Sequence, residues 1–131
     1  MNKKLDKILA EISAGELIDK ITILEIKKEN IKDIKKLDDV EKELLSLNNT
    51  LKVSIPNQSK INVLIKKLKH INLRLWDIEN GKRLAEKNNN FDEKFIKLAR
   101  SVYKENDERS RIKLEINNIL NSNIKEIKSH Y

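Results

Sequence analysis

The chain contains no cysteine, one proline and two glycines in 131 residues. Without thiols there is no disulfide framework and no thiolate metal site. So little Gly and Pro leaves almost no turn chemistry for a many-stranded sandwich or barrel. Nucleophile elbows, P-loops and dinucleotide fingerprints also need glycines that are missing here. The only histidines are His70 and His130. They do not stand at metal-ligand spacing, and the Glu-x-x-His repeat of a di-iron bundle is absent. No metal and no cofactor are expected. No run approaches the ~18 consecutive apolar residues of a membrane span. The opening Met1-Asn2-Lys3-Lys4 is basic, but Asp6, Lys7 and Glu11 interrupt any signal-peptide core, so the expected location is cytoplasmic.

What is abundant is charge and branched aliphatic side chains. Ile, Leu, Val and Phe together make up about a third of the chain, enough to predict a packed core rather than disorder. The formal net charge is +7, which draws attention to nucleic acid or anionic surfaces. Lys, Asn and Ile dominate the composition, however, and all three have A/T-rich codons, so codon bias alone can produce it. The excess is also uneven. Residues 1–57 are balanced, and most of the surplus lies in residues 58–90.

Apolar residues recur at helical spacing through the chain. Ser13 and Glu16 read as a capping box, followed by Leu17, Ile18, Ile21, Leu24 and Ile31. Ile23 and Ile26 fall on a second face, so this helix is expected to be sandwiched between neighbours. Leu5, Ile8, Leu9 and Ile12 fit a short helix upstream. A break is expected near Lys36–Asp38, with Asp38 as cap of a second helix through Val40, Leu44, Leu45, Leu47 and Leu51. Pro56 marks a loop. A long helix is predicted over about 59–87, carrying the stripe Ile61, Leu64, Leu68, Ile71, Leu75 and Ile78, with Gly81 tolerated inside it. Asn88-Asn89-Asn90 reads as a turn, with Asn90 as the next cap. A second long helix is predicted over about 91–120, with a possible break at Asn106-Asp107. Ile124 and Ile127 are docking points in a polar tail. The expected fold is all-α: one domain over 1–131, an antiparallel bundle of about four helices, with flexible ends at 1–12 and 122–131. Helices of unequal length favour coiled-coil contacts and a homo-oligomer or protein partner.

Two constellations carry chemistry. Between Glu43 and Asp77 there is no acidic residue, while Lys66, Lys67, Lys69, His70 and Arg74 gather on and beside the helix face opposite the apolar stripe. Such a face contacts phosphates of nucleic acid or head groups, or is a solvated surface. No aromatic interleaves it, so base stacking is not indicated. More informative are polar residues within apolar stripes. Asn106, Arg109 and Lys113 share a face with Phe95, Leu98, Val102, Ile116 and Leu120, and Tyr103 sits at its edge. Glu16, Asp19, Lys20 and Glu25 are interleaved with apolar residues near the start of the chain. Buried charge is costly unless paired, so Glu16, Asp19 or Glu25 should meet Arg109, Arg100 or Lys113 across the bundle. The result is either a structural polar layer or a pocket for an anion. Trp76, the single Trp, lies off the main stripe and packs on a further helix or walls a pocket.

Three segments resemble a small family of bacterial domains of unknown function with a loose association to surface-polysaccharide and glycosyltransferase gene contexts. They are Ser13-Ala14-Gly15-Glu16-Leu17-Ile18-Asp19-Lys20-Ile21-Thr22-Ile23-Leu24-Glu25-Ile26-Lys27, then Leu75-Trp76-Asp77-Ile78-Glu79, then Phe95-Ile96-Lys97-Leu98-Ala99-Arg100-Ser101-Val102-Tyr103 with Asn106-Asp107. The resemblance covers most of residues 13–128 and implies no activity. It points to Glu16, Asp19, Lys20, Trp76, Asp77, Arg100, Tyr103, Asn106 and Asp107.

The functional expectation is a non-enzymatic interaction or scaffold module with a buried polar layer. The alternatives are a binding protein or small enzyme for an anionic sugar or nucleotide, lined by Lys20, Arg100, Tyr103, Asn106 and Arg109, and nucleic-acid binding through Lys66–Arg74. Catalysis by electrostatics alone fits the composition, but no signature points to it.

Overall fold

The computed structural model describes residues 3–130 as an all-α antiparallel bundle. Met1, Asn2 and Tyr131, part of the ends expected to be flexible, lie outside the described residues. The helices are α1 (Ala14–Asn30), α2 (Ile34–Ser54), α3 (Asn62–Lys87) and α4 (Glu93–Ile119). Among the described residues there is no strand, and no helix is long and apolar enough to cross a membrane.

Short-range chemistry sets most helix ends. The Ser13 hydroxyl accepts the Glu16 amide at the start of α1. Asp33 caps α2 by accepting the Lys35 and Lys36 amides, and Asp92 caps α4 by accepting those of Lys94 and Phe95. Each supplies an acceptor for an otherwise unbonded first-turn donor. Both long helices stop on an asparagine in the left-handed region, Asn89 at φ 54° and Asn121 at φ 51°. The following amide then bonds back five residues, Asn90 N to Ala85 O and Ser122 N to Asn117 O. This closure satisfies terminal carbonyls that would otherwise be bare.

Helix α1 is the centre of the molecule and touches all three other helices. Its Leu17, Ile21 and Leu24 pack on Val40 and Leu44 of α2. Its Ile18 packs into a second cluster of Ile61, Leu64, Leu68 and Ile71 from α3 and its lead-in, with Ile112 and Ile116 from α4. The two-faced apolar pattern of α1 is thus used on both faces. Ile55, the residue before Pro56, is also buried in the second cluster and fixes the α2–α3 loop.

Five local expectations differ from the structure. Helix α2 begins at Ile34, not at Asp38, because Asp33 provides the cap and Asp38 lies exposed within the helix. Helix α4 is capped by Asp92, not Asn90, and runs unbroken through Asn106-Asp107. Residues 3–12 form no helix, and Leu5, Ile8 and Leu9 are exposed. An isolated segment that short gains too little from propensity, and no partner face in the bundle receives its stripe. In the tail, Ile124 is half-buried but Ile127 is exposed.

Helices α3 and α4 outrun α1. From residue 73 to residue 111 no residue is buried. This stretch is a two-helix arm, joined at its far end by the Asn88–Asn90 turn, and the edge-to-face pair Phe91–Phe95, 5.1 Å between ring centres, lies at the start of α4. At Gly81 the two arm helices meet closely: a Cβ there would lie 3.1 Å from Leu98 Cδ1.

Candidate functional site

The base of the bundle holds a polar ladder between α1 and α4. On α4, Arg109, Lys113 and Asn117 follow at four-residue steps and so stand in one row. On α1, Glu16 and Asp19 stand three residues apart, with Gly15 just before them. These α1 and α4 groups pair in antiparallel order, and each rung is a bond. Arg109 donates to Asp19 through Nε, 3.0 Å from Oδ1, and through Nη2 to Oδ2. Lys113 donates to Glu16 and stands 3.8 Å from Asp19 Oδ2. The Asn117 side-chain oxygen accepts the Gly15 amide at 2.6 Å.

Asp19 is fully buried, whereas the Arg109 side chain is 29% exposed. The carboxylate is therefore inside and the guanidinium bridges it toward the surface. Asn72 of α3 completes the cluster: its amide nitrogen donates to Asp19 Oδ1 and to Thr22 Oγ1, both at 2.9 Å. The Thr22 hydroxyl in turn donates to the Asp19 carbonyl. Asn106 accepts from Arg109 Nη1 at 3.4 Å. Among the described residues no buried side-chain nitrogen or oxygen lacks a partner. The Asp19 hydrogen bond raises the Arg109 pKa above its ordinary value, against the opposing effect of burial. Arg109 therefore stays charged throughout the neutral range.

The start of α1 is sealed in the same region. The Ala14 amide donates to Ser122 Oγ, the Gly15 amide to Asn117, and the Glu16 amide to Ser13 Oγ. The Ser13 hydroxyl donates to Glu126 at 2.8 Å, which ties the tail to the helix start. Carboxylates near these amides also suit the positive end of the helix dipole. A Cβ at Gly15 would fall 2.5 Å from the Lys113 carbonyl oxygen. Only glycine allows α1 and α4 to approach this closely. The expected capping box is half-made: Ser13 caps, but the Glu16 carboxylate is drawn to Lys113 and, at 3.7 Å, to Lys20.

The structure gathers some of the sequence candidates and disperses others. Glu16, Asp19, Asn106 and Arg109 meet in the ladder, with Lys20 at its rim. Trp76 is half-buried and shares a cleft with Arg109. Asp77, Arg100 and Tyr103 are exposed on the arm, and Asp107 is exposed and pairs with Lys128 at 2.9 Å. The cleft that Arg109 reaches is not lined by Lys20, Arg100, Tyr103 or Asn106. Thr22, Asn72, Asn117 and Ser122 were not singled out from the sequence. Asn117 sits four residues after Lys113, so extending that polar row would have found it.

The basic face is less basic in space than in sequence. Lys69 lies 3.8 Å from Glu25 and 3.4 Å from Glu29, both on α1. Arg74 bonds Glu105 of α4 at 3.1 Å. Lys66, Lys67 and His70 remain exposed, beside a shallow groove that also includes Arg74 and Glu108. Among the described residues no group of three or more acidic or histidine side chains is placed to hold a metal ion.

No curated protein and no solved structure matches the chain. A family model does match, over residues 8–131. With its ladder, its sealed helix start and nearly all of its length inside that match, the chain belongs to DUF6165, a family of unknown function.

Proposed function

We propose that this protein is a non-enzymatic interaction module, folded as one unit in the cytoplasm, in which the ladder locks the base and the α3–α4 arm joins a second copy. The observation that carries the reading is the run from residue 73 to residue 111 without a buried residue. Two helices alone share one seam and leave their outer faces wet. On α4 that outer face still carries Ile96, Ala99 and Tyr103, exposed and spaced as one stripe, with Ile96 52% and Tyr103 54% exposed. Ala99 at its middle permits close helix approach. Asp92 and Glu93 stand at one end of the stripe and Arg100 and Lys104 toward the other, so an antiparallel copy presents opposite charge along the seam.

The polar ladder supports a structural role. All its buried polar atoms are engaged within the protein, so it has no buried group waiting for a ligand. Such layers fix which helix faces meet and in which register. The second reading, phosphate contact through Lys66, Lys67 and His70, rests on their exposure beside one groove. A salt titration of RNA and DNA binding decides it, since phosphate contacts must weaken steeply with salt.

The cysteine-free chain allows a direct test of the arm. With Ala99→Cys as the only thiol, oxidation is expected to yield a covalent dimer in high proportion. With Glu41→Cys, on the exposed side of α2, it is not. Equal cross-linking at both positions contradicts the arm as the interface.

A further inference from the structure

A cleft of about 400 Å³ lies at the corner where the arm leaves the bundle. Ile23 and Ile26 of α1 and Leu75 of α3 line it with apolar surface, beside the ring of Trp76. Its polar lining differs from the ladder in being only partly used. Asn80 and Arg83 have no hydrogen-bond or ion-pair partner among the described residues. The Trp76 indole N–H has no acceptor among the described residues either, and since no buried side-chain nitrogen among them is left unpaired, that N–H is not fully buried. Arg109 reaches the cleft from the ladder; its Nη1 makes only the 3.4 Å contact to Asn106. Asn72, in the same lining, is committed to Asp19 and Thr22. The single carboxylate of the lining, Glu79, is held by Lys82 at 3.2 Å.

Apolar walls with a few unspent donors are what a small-molecule site requires and what a packed core avoids. The donors are two guanidinium groups, an indole and an amide, with no free carboxylate to oppose an anion. Guanidinium forks match phosphate oxygens, and a half-exposed indole offers a flat face. We infer that this cleft binds an organic phosphate bearing a flat ring, with the ring on Trp76 and the phosphate on Arg83, supported by Arg109 Nη1. The cleft volume suits a ligand the size of a nucleoside monophosphate. This site is independent of arm pairing and lies beside the ladder rather than in it.

Trp76 is the only tryptophan, so its emission reports on the cleft directly. The full chain is titrated with adenosine 5′-monophosphate and phenyl phosphate, and separately with adenosine and inorganic phosphate. The expected result is a saturable emission change with the two ring phosphates, and weaker binding of adenosine or inorganic phosphate alone. Arg83→Leu should weaken binding by about tenfold or more, the scale of one lost charge-assisted contact. Because Arg83 is exposed and has no partner among the described residues, this variant should melt as the parent does. The inference is overturned by no saturable change up to about 10 mM probe, by unchanged affinity in Arg83→Leu, or by inorganic phosphate binding as tightly as the nucleotide.

Discussion

At the scale of single residues, Asp19 decides the most. It is a fully buried carboxylate that accepts from Arg109 and Asn72. Removing one member of such a cluster strands the others, so Asp19→Ala and Arg109→Ala should each lower unfolding stability by about 3–5 kcal/mol. Urea denaturation measures this. The double variant should lose clearly less than the sum, because the second change removes a group already stranded. The pair should lend the same stability throughout the neutral range. A cation whose folded pKa is raised stabilises wherever it is charged in the unfolded chain, and arginine is charged at all these values. Gly15 acts through the backbone. Gly15→Ala puts a methyl against the Lys113 carbonyl, a backbone atom that cannot swing aside. A loss of about 1–3 kcal/mol is expected, read from the same denaturation curves.

At the scale of helices, the ends were only partly legible. Ser13 was visible as a cap because its type and place agree with the apolar run that follows. Asp33 was not, because Ile31, Ile34 and Leu37 continue a helical spacing across the break, and Asp38-Asp39-Val40-Glu41 offers the better local cap signature. Tertiary packing of α1 against α2 chose between them. Residues 5–12 show the opposite failure: their spacing is helical, yet the bundle has no face for them. The polar ladder was readable in outline, since charges inside an apolar stripe must find partners. Which charges pair was not readable, because it depends on the antiparallel offset that Gly15 and Asn117 set. The asparagine stops make a test at this scale. Asn121→Ala should cost about 1 kcal/mol, since alanine resists the left-handed conformation, whereas Asn121→Gly should be neutral or slightly stabilising. Thermal unfolding of the two variants checks the order.

At the scale of the whole molecule, the chain is a locked base with an open arm. The base has two apolar clusters on either side of α1 and a polar ladder with every buried group engaged. The arm has a single seam and an apolar stripe left in water. Stability is concentrated in the first and the proposed surface for association lies on the second, so a change on the arm should alter assembly without unfolding the base. The molar mass in solution, measured by light scattering for the parent and for Ile96→Glu, tests this most directly. The parent should scatter at twice the 15.4 kDa chain mass, and Ile96→Glu at the chain mass with an unchanged helical spectrum. A parent that stays at the chain mass at every attainable concentration, or a variant that still pairs, contradicts the account.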